Sequence, residues 1–253
     1  MDALFQESLS FMESVLRILS KQVPPPQRVP WRDSFVYRHK EKLISQAIIQ
    51  KLARTASCLQ SARILRQSGQ FQEQGALQRM LDEYNEDIIF LSYGMKYEIT
   101  SDHQYYLGEF FKDEFDDEMS SIKSTQKRGM LPRRKIRAYV ARVEAQELDQ
   151  STGVEVSRTL QKGYSGYVHA ASTQIMDMYF GDPPRFHVFG MLGTKRESEY
   201  GRDLWNYFFR GIHSFGFASL AFGDQGLFQR VILFLDKFEA QSGTSYGKSS
   251  RAK

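Results

Sequence analysis

Two sets of polar residues stand at spacings that a helix converts into contacts. Arg79 and Glu83 are four residues apart, one helical turn, so they can pair, and Glu86 and Asp87 extend the charge along the same segment. His169 follows Ser165 by four residues and Tyr164 by five, which puts a hydroxyl and a phenol on or near the imidazole's face of a helix. Imidazole has an ordinary pKa close to neutrality, and a carboxylate such as Glu83 would tune it as a general acid or base, with Arg79 as a phosphate holder. The same residues suit a buried histidine hydrogen-bonded to a carboxylate that locks two helices in register, so both readings stand open. The sequence lacks a glycine-rich phosphate loop, a dinucleotide glycine fingerprint, His-Glu-x-x-His and paired Cys-x-x-Cys, which argues against most nucleotide hydrolases, dehydrogenases and metalloproteases. His39, His103, His169, His187 and His213 never fall three or four apart, so no metal site and no cofactor is expected.

The stretch from Ser61 to Glu83 reads as a helical hairpin closed at a short glycine turn and followed by the Arg79/Glu83 pair, and Tyr164-Ser-Gly-Tyr-Val-His169 as a later helix. Together they resemble an uncharacterised bacterial all-α family loosely grouped with HEPN-like and abortive-infection proteins, over roughly residues 35 to 180. Arg32 and His39, with six residues between them, also match the arginine-to-histidine spacing of HEPN ribonucleases, although Arg32 follows Pro30 closely and equally suits the start of a helix. The resemblance implies a bacterial setting of phage defence or toxin–antitoxin type. Within it, the expected function is a helical interaction or sensor subunit acting through protein or nucleic-acid contact. The alternative is a HEPN-like ribonuclease or nucleotide-modifying enzyme, with His169, Glu83, Arg79 and Tyr164 as its site.

Charge is distributed unevenly. The net charge of +4 is slight. Yet six carboxylates crowd Glu109 to Glu118 against Lys112 alone, and eight bases with no acid follow between Met119 and Val143. Clustered Lys and Arg bind phosphates by releasing counterions, so Arg133, Arg134, Lys135 and Arg137 are the candidate nucleic-acid contacts within 123–142. This block equally suits folding back on its acidic neighbour.

The elements that must position these residues are helices. Phe5, Leu9, Met12, Leu16 and Leu19 recur at spacings of three and four before the Pro24-Pro25-Pro26 step. Asp33 or Ser34 is expected to cap a second helix reaching Gly69, and Phe71 to Lys96 is expected to return antiparallel to it. Further helices are expected from Ser101, over Arg134 to Leu148, through Tyr164 to Tyr179, and over Tyr200 to Ala221 and Gln225 to Phe238. The predicted fold is an all-α bundle of about seven to nine helices with a charged central insertion. It divides into an N-terminal helix (1–22), a Pro-rich linker (23–32), a helical domain (33–240) and a disordered basic tail (241–253). The aromatic residues from Trp205 to Phe228 cover more than one helical face, which suits a deeply buried helix or a contact with a protein partner or second copy. A single cysteine, Cys58, favours a reducing, cytoplasmic address, and no basic leader or long apolar run points to a membrane.

Overall fold

The computed structural model describes residues 1–113, 115, 121–144 and 164–245. The architecture is an all-α bundle. Its helices are α1 (Asp2–Ser20), α2 (Ile44–Gln67), α3 (Phe71–Lys96), α4 (Ser101–Phe110), α5 (Arg133–Glu144), α6 (Ser172–Met176), α7 (Arg196–Ala221) and α8 (Gln225–Ser242). The expected turn between α2 and α3 is present, with Gly69 at a φ of 72° and the Gln70 N–H donating to the Leu65 carbonyl at 2.8 Å. α3 is the central element, packed on α2, α5 and α7, while α1 lies against α2, α7 and α8. Phe5 stacks on Phe208 at 4.3 Å, and Met12, Val15 and Leu19 are buried with it, so the N-terminal helix belongs to the main core. Trp205, Tyr207, Phe208 and Phe215 are buried, which makes the aromatic face of α7 chiefly core. No described helix is long and apolar enough to cross a membrane.

The second helix starts ten residues later than the sequence suggests. In place of its first three turns stands an antiparallel hairpin, β1 (Gln27–Trp31) paired with β2 (Ser34–Arg38). Asp33 and Ser34 are turn and strand residues rather than helix caps. The deciding feature is the β-branched and aromatic alternation of Val29, Trp31, Phe35, Val36 and Tyr37, closed by Arg32 at a φ of 49° without the usual Asn-Gly signal. Arg32 therefore sits in a turn, and the helix-borne arginine–histidine arrangement expected of Arg32 and His39 does not form.

The expected helix from Tyr164 to Tyr179 is also interrupted. Residues 164–168 are helical, Ala170 takes a φ of 50°, α6 follows, and β3 (Tyr179–Phe180) pairs with β4 (Arg185–Phe186). The expected turn at 150–153, the end of the helix to Leu148 and the tail beyond residue 245 lie outside the described residues.

One buried histidine, His103, links the fold to pH. His103 Nδ1 accepts the Thr100 N–H at 3.2 Å and Nε2 lies 3.0 Å from the Phe90 carbonyl, so the neutral ring donates through Nε2. The ring stacks on Phe90 at 3.9 Å and lies directly over Gly94, where an added Cβ would meet it at 2.4 Å. Burial holds His103 below its ordinary pKa. Below about pH 6.5 the unfolded chain binds protons that the folded chain refuses, so this contribution is present above that pH and is lost as pH falls through it. Stability by urea denaturation should therefore fall from about pH 7.5 to about pH 5.5, and His103→Gln should flatten the fall; equal slopes in the two proteins would show that His103 is not the titrating group.

Candidate functional site

α3 carries a row of polar side chains in phase with its apolar ones. Gln74, Gln78, Asp82 and Asn85 recur every three or four residues and are all buried, on the side facing α7. The Gln74 amide donates to the Tyr200 carbonyl at 2.9 Å, and Ser214 donates to Asn85 at 2.9 Å. Asp82 accepts from Tyr207 at 3.1 Å and pairs with Arg210 at 2.6 Å. Burial pushes the Asp82 carboxyl up, against the opposing pull of Arg210.

A second set of charges lies toward α2, α4 and α5. Asp87, 1 % exposed, pairs with Lys51 at 2.7 Å and with Arg133 at 2.5 Å, and accepts from the Tyr106 hydroxyl at 2.8 Å. Lys51 also stands 5.3 Å from the ring centres of Tyr84 and Phe110 and 6.0 Å from that of Tyr106, so three rings enclose its ammonium. Desolvation, with Asp87 as the next cause, holds the Tyr106 phenol well above its ordinary pKa. Arg137 pairs with Glu86 at 2.9 Å and Arg133 reaches Glu83 at 3.3 Å. Buried charges are tolerated where each has a partner of opposite sign, and here each charged helix supplies one to the next.

The sequence-selected residues divide between these places and the surface. Arg79 and Glu83 pair at 2.8 Å, as their spacing requires. Tyr164 donates to Asp203 at 2.8 Å, and its ring meets that of Tyr207 edge-on at 5.8 Å. The same helical turn sets Tyr167 over Gly75 of α3, where a Cβ would stand 2.9 Å from the ring. His169 is exposed, and its side chain makes no hydrogen bond or ion pair with Arg79, Glu83 or any other described residue. Among the described residues no group of three His, Cys, Asp or Glu side chains is placed to hold a metal ion. Comparison of the chain with protein-family models, curated proteins and solved structures finds no match.

The basic block is split by the same geometry. Arg133 and Arg137 point inward, with side chains 18 % and 12 % exposed, onto carboxylates of α3. Of the candidate nucleic-acid contacts Arg133, Arg134, Lys135 and Arg137, the first and last are thus turned onto α3. Lys135 is exposed and pairs with Asp102 at 2.9 Å, while Arg134 is exposed and makes no ion pair among the described residues. Lys123, Lys127 and Arg128 are also exposed. Lys51, Asp82, Asp203, Tyr207 and Arg210 were not singled out by their sequence spacing, and Asp87 only as charge extending the Arg79/Glu83 segment, yet the polar row at 74, 78, 82 and 85 was visible as a second stripe of helical period.

Removing one member of a buried ion pair leaves its partner charged and unpaired. Asp87→Ala is expected to lower stability by about 3–5 kcal/mol, whereas Arg134→Ala should change it by less than about 0.5 kcal/mol. Urea titrations of the two variants check this; similar small effects would mean that Asp87 does not bridge the helices.

Proposed function

We infer that the chain is a helical interaction subunit whose outward cations contact a polyanion, with nucleic acid as the natural class. The observation that carries this reading is the separation of the cations. Lys51, Arg133, Arg137 and Arg210 are paired inside, while Arg134, Lys123, Lys127 and Arg128 stay at the surface beside a hairpin that bears further arginines. Asp113 joins these two outer regions: it pairs with Arg38 of the hairpin at 2.8 Å, and its carbonyl accepts from the Gln126 side chain. The bacterial defence or toxin–antitoxin setting implied by the resemblance belongs to the proposal. Exposed apolar side chains between Val168 and Leu192, among them Phe189 at 94 %, support a protein-contact role alongside it.

Electrostatic contact of this kind weakens with salt, because each neutralised phosphate adds about 0.7 for a single strand or about 0.9 for a duplex to the slope of log affinity against log salt. A labelled oligonucleotide should bind at low salt with a slope of this sign, and the triple change Lys127→Ala, Arg128→Ala, Arg134→Ala should reduce both affinity and slope. Binding that is absent at low salt, or indifferent to the three changes, would contradict the reading.

A further inference from the structure

The hairpin has two unlike faces. Strand pairing sets Arg28 opposite Tyr37 and Pro30 opposite Phe35, so these four side chains share one face; Val29, Trp31 and Val36 share the other. Val29, Trp31 and Val36 are half-buried, with the Arg38 guanidinium 6.0 Å from the Trp31 ring centre. Every residue of the first face is exposed, Phe35 at 43 % and Tyr37 at 55 %. Two-stranded hairpins gain little stability alone in water, and two aromatic rings left half-exposed on an open face gain only part of what full burial would supply.

The open face is ordered within itself. Phe35 and Tyr37 meet edge-on with ring centres 5.6 Å apart, and the Arg28 guanidinium lies 4.4 Å from the Phe35 ring centre and 5.9 Å from that of Tyr37. Arg28 Nε also donates to the Tyr37 hydroxyl at 3.3 Å. Cation and rings thus form one planar-group cluster held by the sheet rather than by flexible loops. Between Gln27 and Lys42 the chain carries five bases, Arg28, Arg32, Arg38, Lys40 and Lys42, against Asp33 and Glu41. An apolar protein face would not call for this excess of positive charge, and duplex DNA or RNA keeps the faces of its bases stacked and out of reach.

We propose that the open face of the β1–β2 hairpin is a stacking platform for single-stranded nucleic acid, with unstacked bases against Phe35, Tyr37 and the Arg28 guanidinium, and phosphates near the flanking cations. The proposal rests on the polyanion-binding reading and narrows it to one class of ligand and one surface. Base–aromatic stacking tolerates any sequence because every base has a π face, and an arginine beside the ring adds attraction. The surface cations Lys123, Lys127, Arg128 and Arg134, on the segment joined to the hairpin through Asp113, extend the track along which the backbone would run.

The test is fluorescence anisotropy at low salt with labelled oligo(dT), oligo(U) and a duplex of the same length. Wild type, Phe35→Ala, Tyr37→Ala, Phe35→Tyr and the triple charge variant are compared, with urea midpoints confirming that each folds. Single strands are expected to bind more tightly than the duplex. Each ring-to-alanine change is expected to weaken single-strand binding by about five- to a hundredfold, and Phe35→Tyr to retain it. Oligo(dT) and oligo(U) distinguish DNA from RNA as the preferred strand, either of which supports the platform. If the ring variants bind as wild type does while the charge variant weakens, the platform is overturned and the polyanion reading stands. Equal affinity for the duplex also overturns the platform, and no binding by any oligonucleotide overturns both.

Discussion

The bundle depends on how one nearly inaccessible carboxylate is neutralised. Asp87 accepts from Lys51 of α2, Tyr106 of α4 and Arg133 of α5 while itself belonging to α3. A carboxylate taken from water without partners would cost more than a domain of this size can spare, so four helices must meet at the spacing these contacts require. Apolar packing alone would allow α5 to slide along α3, since hydrophobic contact has no direction. The Asp87–Arg133 and Glu86–Arg137 pairs, which join adjacent positions of α3 to positions one turn apart on α5, fix its register.

That constraint also determines which cations are left outside. α5 is a basic helix whose Arg133 and Arg137, four residues apart, face α3, with Ile136 and Tyr139 buried alongside; Arg134, Lys135 and Arg142 fall on the exposed side. A run that looks uniform in composition thus supplies counter-charge to the core on one face and surface potential on the other. The hairpin is the complementary case. Its aromatics and arginines are held by sheet pairing at the edge of the bundle, none of its residues is buried, and Arg38 reaches across to Asp113 beside the basic loop.

Much of this was legible in the sequence, for definite reasons. The α2–α3 hairpin was marked by continuous helical periodicity and by Gly69 at a position requiring positive φ, and Phe71–Lys96 is the helix that the pattern predicts. The Arg79–Glu83 pair follows from spacing alone. The hairpin was missed because Asp33 and Ser34 are good caps and because Arg32 fills a left-handed turn position usually given to Gly or Asn. Tyr164 and His169 share a local motif yet part company, since the helix ends at residue 168 and leaves the imidazole outside while the phenol turns to Asp203. The inward turn of Arg133 and Arg137 was out of reach, because it depends on which face of α3 presents Glu86 and Asp87, a fact of packing between segments some fifty residues apart.

The central claim is that the inward charge network builds the molecule and the outward cations and aromatics meet its ligand. Amide hydrogen exchange with and without a saturating single-stranded oligonucleotide tests it most directly, since it reports every backbone segment of the folded chain at once. The account expects ligand-dependent protection concentrated at residues 27–38 and 121–135, with exchange at 79–87 and 164–169 unchanged. Protection centred on 79–87 and 164–169, with the hairpin unaffected, would contradict it.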